Sequence, residues 1–155
     1  MFFNLKKLLI FLAIALVFTN SLFSSALAAT HDFQLHGRTG YLVKGTFDYD
    51  EVTEGEIISV TGGQKSDRLH SLIVSFYDPQ GKLLCTYNNI VDHTARGNYL
   101  ELHFDTHNQQ LVGNLDLGGE IAGEMYVKGN VADELNLIEV DSSERERVVD
   151  SFATF

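Results

Sequence analysis

Apolar and polar residues take turns through most of the chain beyond residue 29. The clearest stretch runs from Ser71 to Asp105. Leu72, Val74 and Phe76 alternate with Ile73, Ser75 and Tyr77, the period of two that puts neighbouring side chains on opposite faces of a strand. Asp78-Pro79-Gln80-Gly81 follows, with Asp first, Pro fixing φ at the second position and Gly fourth, as suits a type I turn. Lys82–Tyr87 then returns as the second strand of a hairpin. Closing the turn between Asp78 and Gly81 sets Phe76 opposite Leu83, Val74 opposite Cys85 and Leu72 opposite Tyr87, which makes one face wholly apolar. A bulge at Gly81 would shift this register by one residue and mix the faces, so the unbulged pairing is expected. A third strand follows, with Leu100, Leu102 and Phe104 on one face and Tyr99, Glu101, His103 and Asp105 on the other. One dry face and one wet face is the pattern of an antiparallel sheet.

The same alternation recurs between turn residues along the chain. Asp32–His36 is a weak first strand. In Tyr41–Tyr49 the apolar side is Tyr41, Val43, Phe47 and Tyr49, with Gly45 among them marking a bend or close packing. Glu56–Thr61, Leu111–Leu117, Gly123–Lys128 and Glu134–Val140 complete the set. These make roughly eight or nine strands, at the spacing of about 8–12 residues typical of a sandwich or barrel. The expected fold is therefore an all-β antiparallel β-sandwich or barrel over residues 29–140. The tail, residues 141–155, is open to two assignments. Ser143-Glu144-Arg145-Glu146 fits a capping box that would start a short helix, and the same residues suit a last edge strand or a frayed end.

Composition changes the picture at the amino terminus. Lys6 and Lys7 precede an unbroken apolar run from Leu8 to Phe18, and Ala26-Leu27-Ala28 offers a small-residue cleavage site. The run is well short of the ~20 residues that span a bilayer. Residues 1–28 are therefore expected to be an export signal cleaved after Ala28, giving a secreted or periplasmic product with no membrane span. The 155 residues carry 11 Lys and Arg against 21 Asp and Glu, a formal charge of −10. Only Lys6 and Lys7 lie in the leader, so its removal makes the balance more acidic still. Such a chain repels nucleic acid and anionic membrane surfaces. Cys85 is the only cysteine, which rules out an internal disulfide and suits a small apolar residue facing inward.

Candidate chemistry is sparse. Asp48, Asp50, Glu51 and Glu54, with Glu56 beyond them, crowd one turn and offer hard oxygens for calcium, although their spacing is not that of an EF-hand loop. His103 and Asp105, with His107 beyond them, lie at i, i+2 and i+4 and could ligate a transition metal on a continuous strand; a turn after Asp105 would swing His107 away. Asp92-His93 offers an acid–base pair with no nucleophile motif beside it. Tyr77, Tyr99 and Tyr126 fall in or beside predicted strands and could pave a ligand-binding face; packing is the commoner use of a strand tyrosine. No phosphate loop, nucleophile elbow or cofactor motif is present, so an enzyme is not expected and no cofactor is assigned.

Gly45-Thr46-Phe47-x-Tyr49-Asp50 with Thr53-x-Gly55-x-Ile57, then Phe76-x-Asp78-Pro79-x-Gly81-x-Leu83-Leu84, Phe104-Asp105-Thr106 and Leu111-x-Gly113, resemble motifs of small exported cyanobacterial proteins related to PEP-CTERM-type secreted β-domains. The resemblance spans roughly residues 33–140. It implies an all-β exported domain and carries over no catalytic residues. The chain departs from the pattern at its end, where Pro-Glu-Pro, a membrane helix and a basic tail are lacking, so sortase-like anchoring is not implied. The function expected is a secreted, non-enzymatic β-domain with a binding or structural role in the periplasm, at the cell surface or in the extracellular matrix, its partner a polysaccharide or another surface protein. The alternative is a calycin-like barrel carrying a small apolar ligand. The first expects tyrosines on a flat or concave exposed sheet face, the second an enclosed cavity.

Overall fold

The computed structural model describes residues 28–51, 56–63 and 65–153. The export signal, apart from Ala28, and the calcium candidate Glu54 lie outside the described residues. Within them the chain is all-β, with two antiparallel sheets and no helix. The smaller sheet is ordered β1 (Ala28–His36), β2 (Leu42–Asp50), β4 (Leu69–Tyr77), β5 (Leu83–Val91) and β6 (Thr94–Ala95). The larger is ordered β12 (Glu146–Phe152), β11 (Leu135–Val140), β10 (Met125–Asn130), β9 (Asn114–Gly118), β7 (Glu101–Asp105) and β3 (Ile57–Thr61), and β8 (Gln110–Leu111) pairs with β7 beside this row.

The sheets do not close into a barrel. Their apolar faces meet in one core, to which the smaller contributes Val43, Phe47, Leu72, Val74 and Phe76, and the larger Leu102, Phe104, Leu115, Leu117, Val127 and Leu137. Phe47 and Phe104 meet edge to face across this interior with ring centroids 5.0 Å apart, and Tyr49 joins them at 5.3 Å from Phe104. Side chains fill the space that a barrel lumen would occupy, so a calycin-like barrel is not the architecture. Among the described residues no helix is long and apolar enough to cross a membrane.

The twelve strands exceed the expected eight or nine for three local reasons. Leu111–Leu117 is not one strand: the chain breaks at Gly113, φ 66°, into β8 and β9. A two-residue hairpin adds β6, with Asp92 and His93 at φ 47° and 63° between paired Val91 and Thr94. Two positive φ values are what a type I′ hairpin requires, so this Asp-His pair is turn chemistry. The tail is not a helix. It forms β12 at the edge of the larger sheet, where Phe152 is buried and Val148 faces solvent. Period two, not the capping box, governs it.

The central hairpin also departs from the expected register. The type I turn is present, with Gly81 N–H bonded to Asp78 O at 2.9 Å. Asp78 N–H donates onward to Lys82 O at 3.0 Å, so pairing closes one residue past Gly81. Gly81 sits at φ 79°, the left-handed residue that lets a type I turn match the strand twist. Tyr77 then pairs with Leu83, Leu84 is skipped, and Phe76 meets Cys85 and Val74 meets Tyr87. The second irregularity adds to the first, so the register moves by two residues and the faces are restored: Cys85 and Tyr87 still pack against the core while Leu83 turns outward. The third strand, β7, leaves the hairpin's sheet for the larger one and pairs with β3. Its buried face of Leu100, Leu102 and Phe104 is as the alternation predicts.

One corner fastens the two sheets. Gly37 pairs with Phe152, and Arg38 N–H donates to Ser151 O at 2.9 Å. The Asp150 carboxylate accepts the N–H of Thr39 at 3.0 Å and of Tyr41 at 3.2 Å. Burial works to raise the Asp150 carboxyl, but the N–H donors of Thr39, Ser151 and Tyr41 outweigh it and hold it below the ordinary carboxylate range. A depressed carboxyl stabilises the fold above its unfolded value of about 3.9, and that contribution disappears as pH falls through the lower folded value. Asp150→Asn is expected to lower stability at neutral pH by about 1–3 kcal/mol, and to flatten the acid-side loss of stability below pH ~4. Urea unfolding at a series of pH values checks both.

Candidate functional site

The solvent face of the larger sheet carries its own small apolar cluster of Tyr126, Ile138 and Val140. Tyr126 pairs with Ile138 on one side and Gly118 on the other, so these groups share a cross-strand row. Two loops rise beside them: the segment before β7 lifts Tyr99, and the β9–β10 connection lifts Glu120, Ile121 and Ala122. The turn between β11 and β12 adds Glu144, and β12 itself adds Glu146. Together with Asp116, Tyr126, Lys128 and Val140 they enclose a cleft of about 490 Å³. Tyr99 and Ile121 stand at the mouth, 66% and 68% exposed.

The Tyr99 wall is built, not loose. Glu120 accepts the N–H of Tyr99 at 2.8 Å and that of Asn98 at 3.2 Å. Gly97, at φ 88°, lets this carboxylate approach; a Cβ there would fall 2.5 Å from Glu120 Oε1. One side chain therefore joins the two loops that form one side of the cleft.

The electrostatics are one-sided. Asp116, Glu120, Glu144 and Glu146 line the cleft with one cation, Lys128. Lys128 Nζ lies 2.9 Å from Asp116 and 5.9 Å from the centre of the Tyr99 ring. Burial pushes the Asp116 carboxyl up; Lys128 opposes the rise, and Glu120 and Glu101 add to it. Asp116, in turn, raises Lys128. Burial and the adjacent Glu146 carboxylate push the Tyr126 phenol up. Alternation places Asp116, between Leu115 and Leu117, on the wet face, but its pairing with Lys128 depends on a strand register that no local pattern encodes.

Of the tyrosines singled out by sequence, Tyr99 and Tyr126 come together in this cleft. Tyr77 does not: it lies on the outer face of the smaller sheet, with Lys44 Nζ 5.4 Å from its ring centre. Among the described metal candidates, Asp48, Asp50, His103 and Asp105 have protein partners away from this cleft. Asp48 accepts hydroxyl donors from Thr30 at 2.6 Å and Ser71 at 2.7 Å, which hold its carboxyl low. Asp50 pairs with His70 Nε2 at 2.7 Å, and Glu51 is exposed. Asp105 caps the turn after β7 through the N–H groups of His107 and Asn108, which takes His107 off the strand. Among the described residues no group of three or more His, Cys, Asp or Glu is arranged to hold a metal ion.

His103 has a partner that sequence spacing did not reveal. Ser59, directly across on β3, bonds His103 Nδ1 at 2.8 Å, and Glu101 bonds Nε2 at 3.0 Å. Hydroxyl, imidazole and carboxylate are the groups of an acyl-transfer triad. Here the hydroxyl is on Nδ1, Ser59 is exposed, and it lines neither large cleft. The array is a cross-strand polar ladder. The second cleft, about 400 Å³, lies beside β1, the last strand of its sheet among the described residues, where Phe33, Leu35, Leu111 and Val131 give it an apolar lining.

No protein family, curated protein or solved structure matches the chain.

Glu120→Ala is expected to release the Tyr99 wall, seen as faster hydrogen exchange at the Asn98 and Tyr99 amides with the core amides unchanged. Lys128→Met removes the group that opposes the rise of Asp116, so the Asp116 carboxyl should titrate higher, followed by NMR.

Proposed function

We propose that this chain is an exported, non-enzymatic β-sandwich domain that binds polysaccharide in the periplasm, at the cell surface or in the extracellular matrix. The observation that carries this reading is the Tyr99–Tyr126 cleft, a concave sheet face with an exposed aromatic ring at its mouth and hydrogen-bond acceptors along its walls. An aromatic face suits the apolar face of a sugar ring, and carboxylates suit its hydroxyl donors. Such a mixture of apolar walls and a few directed polar groups is the usual make-up of a ligand site. The export reading rests on the apolar run Leu8–Phe18 and on Ala26-Leu27-Ala28, and the resemblance to small exported cyanobacterial β-domains agrees with it. The non-enzymatic reading rests on the open setting of Ser59 and on a cleft whose lining holds carboxylates but no Ser, Thr, Cys or His.

A glycan array probed with the purified protein tests the proposal. Binding to at least one glycan class is expected, with Tyr99→Ala weakening it by about tenfold, ~1.4 kcal/mol, and leaving the melting temperature unchanged because Tyr99 is not part of the core. An array with no signal, or a signal indifferent to Tyr99, would remove this function.

A further inference from the structure

The balance of charge and of hydrogen-bond capacity in the cleft points to a narrower ligand class. Asp116, Glu120, Glu144 and Glu146 face one ammonium, and that ammonium already belongs to Asp116. The two nearby arginines do not redress this, since Arg145 pairs with Asp141 and Arg147 with Glu139. A smaller notch, about 220 Å³, abuts the cleft through Glu120 and Ile121 and is lined by Asn89, Glu124, Tyr87 and the cation Arg96. Asn89 is 5% exposed; its Nδ2 donates to Gly118 O at 2.8 Å, but its Oδ1 has no donor among the described residues. A buried acceptor without a protein donor takes one from water or from a ligand. The cleft therefore has acceptors and negative charge in excess and one cation, already paired; the notch, where Arg96 offsets one of the two carboxylates, adds an acceptor without a protein donor.

Lys128 shows which group fits. Its primary ammonium sits against a carboxylate with the Tyr99 ring beside it, an arrangement favourable to cations through both the charge and the ring quadrupole. We propose that the cleft selects a glycan bearing protonated primary amines, an amino-sugar polymer, over neutral and acidic glycans. This rests on the polysaccharide reading above and names its substrate class. Each free amine brings three donors and one positive charge, while the sugar ring lies on the Tyr99 and Ile121 surfaces at the mouth. An N-acetylated sugar keeps the ring and loses the charge. A uronate adds like charge to a cleft that already has too much.

Isothermal titration with a glucosamine oligomer, its N-acetylated counterpart, an oligogalacturonate and tetralysine decides the matter. The glucosamine oligomer should bind, and the N-acetylated form should bind about tenfold more weakly or less tightly still. Oligogalacturonate should give no heat. Binding should weaken with salt and as pH rises through the range in which the sugar amine loses its proton. The double variant Glu144→Gln, Glu146→Gln, at two exposed positions, should lower affinity for the glucosamine oligomer by about tenfold at an unchanged melting temperature, and lower that for the N-acetylated form by clearly less. Equal binding of the two oligomers would overturn amine selection while leaving the polysaccharide function standing. Binding of tetralysine alone, or of no probe, would overturn the amino-sugar class, and the glycan array then decides whether the polysaccharide function stands.

Discussion

Phe47 from one sheet and Phe104 from the other meet edge to face, 5.0 Å between ring centroids and neither touching water. This contact requires both sheets to keep their alternation in phase, because a slip of one residue would carry either ring to the solvent side. The remaining arrangement follows from it. Each strand gives its apolar residues to the shared interior, so the polar and aromatic residues left over are confined to the two outer faces and the loops. A site can be built only there, and the cleft lies on an outer face between loops that rise above it.

Much of this division is legible along the chain. Leu72, Val74 and Phe76, or Leu100, Leu102 and Phe104, announce their burial by spacing alone, and all six are buried. Sheet membership is not legible in the same way. β7 follows the hairpin in sequence and has the same kind of pattern, yet it joins the other sheet, because alternation states which side of a strand is dry and not which strand lies next to it. Register at turns is only partly local. Asp78-Pro79-Gln80-Gly81 encodes the type I turn, but a left-handed Gly81 also introduces an extra residue, and the compensating irregularity at Leu84 reflects the need to return Cys85 to the core.

The cleft was harder to foresee for the same reason. Tyr99 and Tyr126 could be picked out as strand-borne aromatics, but their partners could not. Glu120, Glu144 and Glu146 read locally as ordinary surface charges, and they share a wall only because β9, β10, β11 and β12 lie side by side. Likewise Ser59 and His103 are 44 positions apart and meet only through the pairing of β3 with β7. Chemistry carried by cross-strand neighbours leaves no fixed spacing in a sequence, unlike chemistry on one helix face or in one loop.

The Asp150 corner has a bearing on the order of assembly. The first hairpin, β1 with β2, can zip as soon as both strands exist, yet the amides of its turn find their acceptor 109 and 111 positions further along. A chain made from its amino end therefore leaves the Thr39 and Tyr41 amides to water until β12 arrives. Contacts of such long sequence separation are formed late and at high loop-closure cost. The fold consequently has a built-in completion step: partial chains stay loose at the corner, and docking of the final strand fastens the beginning of the domain to its end.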